Sequence, residues 1–171
     1  MKQKIFYLFL MSLIYNYSYS QSTNDLDAKN GFKSYKLGTP KSILLQTLRL
    51  EKNADGKYLV LNNPDKTVFD LNVQELWLDF DDADKLVSIF FKIKIGEKAG
   101  KVGLLGPYLS PLFGEATSGG MLNQSDAYEM WTGNNVVLMV VYDYIGLKEN
   151  WQSTILITKK EYYKKKYNNE F

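Results

Sequence analysis

The chain has no cysteine, no histidine and a single arginine, Arg49. Without cysteine there is no disulfide, no thiolate metal site and no thiol nucleophile. Without histidine the commonest general base and the commonest metal ligand are both missing. One arginine leaves almost no bidentate clamp for phosphate or carboxylate. This poor chemical inventory weighs against catalysis and against a resident cofactor, and no cofactor is expected. What is abundant is aromatic and apolar: 13 Tyr, 9 Phe and 3 Trp, within an apolar content of 45%. That is enough for one sizeable core in 171 residues.

The first twenty residues read as a secretory leader. Lys2 and Lys4 precede an apolar run from Ile5 to Tyr15, and small Ser18 and Ser20 stand at −3 and −1 of a cleavage point. The run is too short for the ~20 residues that span a bilayer. Cleavage after Ser20 gives a periplasmic or secreted protein beginning at Gln21. Losing Lys2 and Lys4 from 21 basic residues leaves 19 against 19 acidic ones. The mature chain is then neutral, and its charge gives no reason to expect nucleic acid.

The stretch Ala127–Tyr144 organises the rest. A polar and aromatic run meets Thr132-Gly133-Asn134-Asn135, and nine mostly apolar residues follow. Gly and Asn tolerate positive φ, so a tight hairpin is expected, with its second strand deeply buried. Upstream, residues 21–30 read as a flexible leader, and Phe32, Tyr35 and Leu37 as a first strand. Thr39-Pro40 suits a helix start, with Ile43, Leu44, Thr47 and Leu48 on one face. Strands are expected over 57–61, 67–73, 74–80 and 86–95. Alternation places Leu76, Leu78 and Phe80 on the core side and Glu75, Trp77 and Asp79 on the other. It likewise sets Val87, Ile89, Phe91 and Ile93 against Leu86, Ser88, Phe90 and Lys92. Pro107 and Pro111 break the helical segment after Glu97. Residues 115–125 read as a polar connection, and 153–159 as a last strand.

The expected fold is therefore α+β: antiparallel meanders with short helices packed on one face, in a single domain over 31–159. Glu75-Leu76-Trp77 and Glu129-Met130-Trp131 share a pattern, which leaves open a tandem duplication with halves 31–95 and 96–159. Leu37-Gly38-Thr39-Pro40 leading into a Leu-rich helix, and the helix end Leu112-Phe113-Gly114-Glu115, resemble small periplasmic helix-on-sheet domains. These are the BamE-like and β-lactamase-inhibitor-protein-like families. The lipid-bearing cysteine of the first and the disulfides of the second are missing here. The resemblance implies a non-catalytic, protein-binding role and transfers no functional residue.

Several stretches carry partial motifs. Gly96–Val102 has three residues between its glycines and Val after Lys101, where a phosphate loop needs four and then Ser or Thr. Asp79, Asp81, Asp82 and Asp84 have the density of a calcium loop. Asp84 and Phe90 stand where that loop needs Gly and Glu, so a solvated turn is expected and no metal. Glu75, Asp79, Glu129 and Asp143 are strand-borne acids from which a carboxylate-based glycan hydrolase could draw a pair. The tail over 160–171 begins within KKEYYKKKY, five lysines against one glutamate, and reads as a frayed basic terminus or a weak adhesive for anionic surfaces. Two functional readings remain: an exported binding module, inhibitor- or immunity-like, with a protein or glycan partner; and the hydrolase. For the first, the expected surface is the reverse face of the sheet around Trp77, Phe90 and Trp131, with Glu75 and Glu129 beside them.

Overall fold

A computed structural model describes residues 24–94, 105–122, 126–143 and 152–167. Residues 1–20, expected to be a secretory leader, the stretch Gly96–Val102 and residues 146–151 lie outside them.

The first described element is α1 (Asn24–Lys29), where a flexible leader was expected. Its one large apolar side chain, Leu26, is fully buried, so tertiary contact overrides the polar composition. A two-strand hairpin follows, β1 (Gly31–Phe32) and β2 (Tyr35–Lys36). Phe32, Tyr35 and Leu37 are all core residues. The next helix, α2 (Lys41–Leu44), is a single turn. Thr39 does not cap it; Pro40 instead bridges to Lys85, and the Lys41 N–H donates to the Asp84 carbonyl at 2.8 Å. Of the predicted face only Leu44 and Leu48 are buried, while Ile43 and Thr47 are exposed.

The main sheet then forms in two similar passes. The first is β3 (Leu50–Lys52), β4 (Tyr58–Val60), β6 (Leu71–Phe80) and β7 (Leu86–Lys94). A short β5 (Thr67–Val68) pairs with the start of β6. It is split from β6 by Phe69 and Asp70, both at positive φ, as a two-residue primed turn requires. The second pass begins with α3 (Gly106–Phe113), which has Pro107 in its first turn, Pro111 inside it and Gly114 at φ 77° after it. Then come β8 (Ser118–Met121), β9 (Asp126–Thr132), β10 (Val136–Asp143) and β11 (Gln152–Lys159). The stretch expected to be a polar connection thus supplies β8, an edge strand.

The sheet order is β3-β4-β6-β7-β11-β10-β9-β8, antiparallel throughout. Leaving aside the short β5, each pass is a helix followed by four strands, and the last strands of the two, β7 and β11, pair at the centre. The α+β class with antiparallel meanders is therefore what the chain adopts. The halves match in topology, yet the shared Glu-apolar-Trp pattern falls on the third strand of one pass and the second of the other.

Ladder partners share a face, and the register carries the core across the sheet: Leu78, Ile89, Ile157, Leu138 and Trp131 stand in one row. Helices α1, α2 and α3, with the segment after α2, cover this side with Leu26, Leu44, Leu109 and Phe113, and with Leu48. Each such aliphatic or aromatic side chain stabilises by roughly 1.5–3 kcal/mol relative to exposure. A register shift between Asp79 and Phe80 pairs Phe80 with Leu86. Leu86, not Val87, thereby joins the core cluster, which corrects the simple alternation. The last element, α4 (Lys160–Tyr167), is helical where a frayed tail was expected. It continues directly from β11 and folds over the opposite face.

Candidate functional site

That opposite, reverse face carries its own row of paired residues. Leu59 of β4 faces Trp77, Trp77 faces Phe90, Phe90 faces Leu156, Leu156 faces Met139, and Met139 faces Met130. Six apolar side chains thus cross the sheet at right angles to its strands. At about 4.8 Å per strand the row is about 24 Å long. Leu59, Trp77 and Phe90 are half-buried at one end, while Leu156 and Met139 are buried further along.

A hollow of about 300 Å³ opens at the Trp77–Phe90 end, walled by Asn53, Asp55, Lys57, Glu75, Lys92 and Thr154. Its polar groups are already arranged. The Trp77 indole N–H donates to Glu75 Oε2 at 3.0 Å, and Lys92 Nζ lies 3.2 Å from the same oxygen. The Trp77 hydrogen bond first, and Lys92 after it, hold the Glu75 carboxyl below the usual carboxylate range despite partial burial. Lys57 Nζ sits 4.4 Å from the centre of the Phe90 ring, a cation–π contact. The loop bearing Lys57 is set by its backbone N–H, which donates to Asn53 Oδ1 at 2.9 Å. The hollow is an apolar floor with a rim of fixed charges of both signs. Of its rim charges, Glu75 and Lys92 are paired with each other, and Asp55 is exposed.

Trp77, Phe90 and Glu75 are brought together here; Trp131 and Glu129 are not. Trp131 faces Leu138, lies on the helix-covered side and is fully buried, its indole N–H donating to the Gly114 carbonyl at 2.9 Å. Glu129 is two residues away on the same side. Its carboxylate accepts the Tyr142 hydroxyl at 2.5 Å beside the start of α3. The Tyr142 oxygen in turn accepts the Leu105 N–H at 2.8 Å. Burial first, and the Glu129 carboxylate next, raise Tyr142 well above the ordinary phenol value.

The remaining acids have separate occupations. Asp81 Oδ1 accepts the N–H groups of Ala83 and Lys85 and closes its own turn. Asp84 pairs with Lys41 at 2.6 Å, and Asp82 is exposed. Asp79 is nine-tenths buried on the reverse face and accepts Tyr162 at 2.7 Å and Lys166 at 2.8 Å, both from α4. Among the described residues no group of three or more carboxylates is placed to hold a metal ion. Of the strand-borne acids, Glu75, Asp79 and Glu129 do not form a hydrolytic pair, whereas Asp143 stands opposite Asp126 in the β9–β10 ladder. Glu75 and Asp79 are four residues apart on one strand, about 13 Å at the usual rise, beyond the separation such mechanisms use. Glu129 is on the other side of the sheet.

No family model, curated protein or solved structure matches the chain. The site therefore has to be read from its own geometry. Sequence reasoning missed Lys57, Lys92 and Thr154, which reach the hollow from three different strands or loops. It also missed Tyr162 and Lys166, whose spacing of four was the one sign of a helical face in the tail.

Proposed function

We propose that this chain is an exported, non-catalytic binding module that receives a protein partner on the reverse face of its sheet. The observation that carries this reading is the cross-strand row Leu59-Trp77-Phe90, half-exposed on the side away from the core. Half-buried Trp and Phe beside a polar rim are what interface hot spots are made of, because rigid rings bury much area at little entropic cost. The hollow is the right size for one or two partner side chains. The leader-like segment over 1–20 supports export.

The test is site-directed cross-linking. A photoreactive residue at Thr154 in the exported protein should give one discrete adduct, and Trp77→Ala or Phe90→Ala should abolish it while the fold is kept. An adduct that survives both changes overturns the assignment. A glycan-array signal lost with the same two changes would replace the protein partner by a saccharide. Intact mass of the exported species should begin at Gln21; retention of Lys2 and Lys4 would overturn export by cleavage.

A further inference from the structure

The apolar row is open at its Leu59-Trp77-Phe90 end and closed at Leu156 and Met139, where α4 packs against β10 and β11. Several features mark α4 as held in place rather than built in. None of its eight residues is buried. A helix of that length is not stable alone, so its structure depends on docking. On the sheet one carboxylate, Asp79, accepts both Tyr162 and Lys166 from positions one helical turn apart. Tyr163 adds a weak contact, 3.9 Å from its hydroxyl to Met139 Sδ. The opposite end is tied at the junction with β11. There the Lys160 N–H donates to the Asn135 carbonyl at 2.8 Å, and Lys160 Nζ donates to the Gly133 carbonyl at 2.9 Å. That end is a hinge and the Asp79 end is a latch.

We propose that α4 is a displaceable strap, closed over Leu156, Met139 and Asp79 in the free protein and displaced by a partner segment that carries apolar side chains and a cationic group. The partner chemistry follows from what α4 leaves behind. Beneath it Leu156, Met139 and Val137 are apolar, and the buried carboxylate of Asp79 lies on the same face. A carboxylate covered again without a partner of opposite charge is strongly unfavourable, so the incoming segment has to bring one. The proposal rests on the reverse face being the binding surface, but the motion of the strap is measured without any partner.

The absence of cysteine makes the measurement clean. Met139→Cys places a single thiol under the strap, Thr154→Cys one beside the hollow, and Leu138→Cys one in the core. In the full chain, maleimide should label Cys at 154 quickly and Cys at 139 slowly. Adding Lys166→Met should speed labelling at 139 by about tenfold, the share of one charge-assisted bond, and leave 138 unreactive. No change at 139, or a parallel rise at 138, overturns the strap. If the Met139→Cys chain fails to fold, hydrogen exchange of the unaltered chain decides. The amides of 162–167 should exchange at least about a hundredfold faster than those of Ile155 and Ile157, as local opening predicts; equal protection overturns the proposal. The cationic requirement is tested with a synthetic peptide of residues 160–171 at millimolar concentration, added to the chain carrying Met139→Cys and Lys166→Met. It should slow labelling, and the same peptide with Lys166→Glu should not. Equal slowing by both peptides, or slowing by neither, overturns the requirement.

Discussion

Asp27 and Gly133 fit each other: a Cβ on Gly133 would stand 2.5 Å from Asp27 Oδ1. The Asp27 carboxylate uses that space to accept three backbone N–H groups of the β9–β10 turn, from Asn134 at 2.6 Å, Asn135 at 2.8 Å and Val136 at 2.9 Å. The glycine is there for close approach. None of Gly133, Asn134 and Asn135 has a positive φ, although positive φ is the usual reason for such residues in a hairpin.

Asp27→Ala removes the acceptor for three amides and should destabilise the protein by about 2 kcal/mol, in the range of a lost charged acceptor or helix cap. Gly133→Ala should cost a similar amount, about 1–3 kcal/mol, by crowding the same carboxylate. Urea unfolding checks both. The double variant should cost clearly less than the sum, because each change breaks the same contact.

The two described tryptophans should separate sharply. Trp131→Ala empties a core position and orphans the Gly114 carbonyl, so a loss of about 3–5 kcal/mol is expected. Trp77→Ala, half-exposed on the reverse face, should cost about 1 kcal/mol, within the range of ordinary surface and boundary changes. Equal losses in urea would refute the assignment of the two rings to opposite faces.

Tyr142→Phe should cost about 2–3 kcal/mol, because the buried hydroxyl links the Glu129 carboxylate to the Leu105 N–H and both are left unpaired. Gly106→Ala should weaken the same corner, since its Cβ would lie 3.0 Å from both Glu129 oxygens. Thermal unfolding of the two single variants is a sufficient check.

Alkaline pH should destabilise the fold in a defined window. Burial, aided by nearby Asp65, pushes Tyr35 up to about 12 from an ordinary 10. The folded state therefore holds a proton that the unfolded chain releases near pH 10. The associated stability is complete below pH 10 and is lost as pH rises from 10 through 12. Tyr142 shifts in the same direction and adds to the loss. Melting temperature measured against pH should fall across this window, and phenolate absorbance from the buried tyrosines should appear only with unfolding. Tyr35→Phe should make the fall shallower.

The faces of β6 over 76–80 and of β7 over 89–93 could be read from alternation because one parity in each stretch is wholly apolar, whereas both parities of β10 are apolar up to Tyr142 and alternation chose neither. In β9 the pattern is ambiguous. Asp126, Tyr128, Met130 and Thr132 share one side, and Ala127, Glu129 and Trp131 the other, so neither side is plainly core. Its phase is decided by the pairing of Trp131 with Leu138 and by Tyr142, which satisfies the inward Glu129. Helices α1 and α4 were illegible for a related reason. Each holds too little apolar surface to signal itself, and each is ordered by a carboxylate contact across long sequence distance, Asp27 to the β9–β10 turn and Asp79 to Lys166. The hollow was half legible: its aromatic floor lies in β6 and β7, while its rim is assembled only by the fold.

The central pairing of β7 with β11 joins residues 58 to 70 positions apart in sequence. Hairpins β6–β7 and β9–β10–β11 close over short distances, so their loop-closure cost is small, whereas this seam has to await both. Until it forms, each half presents a bare edge of Ile, Phe, Val or Leu with unpaired backbone groups, the kind of edge that recruits a strand from another molecule. The slowest folding step and the period of greatest aggregation risk therefore coincide at one ladder, and dilution during refolding should matter more for this protein than temperature.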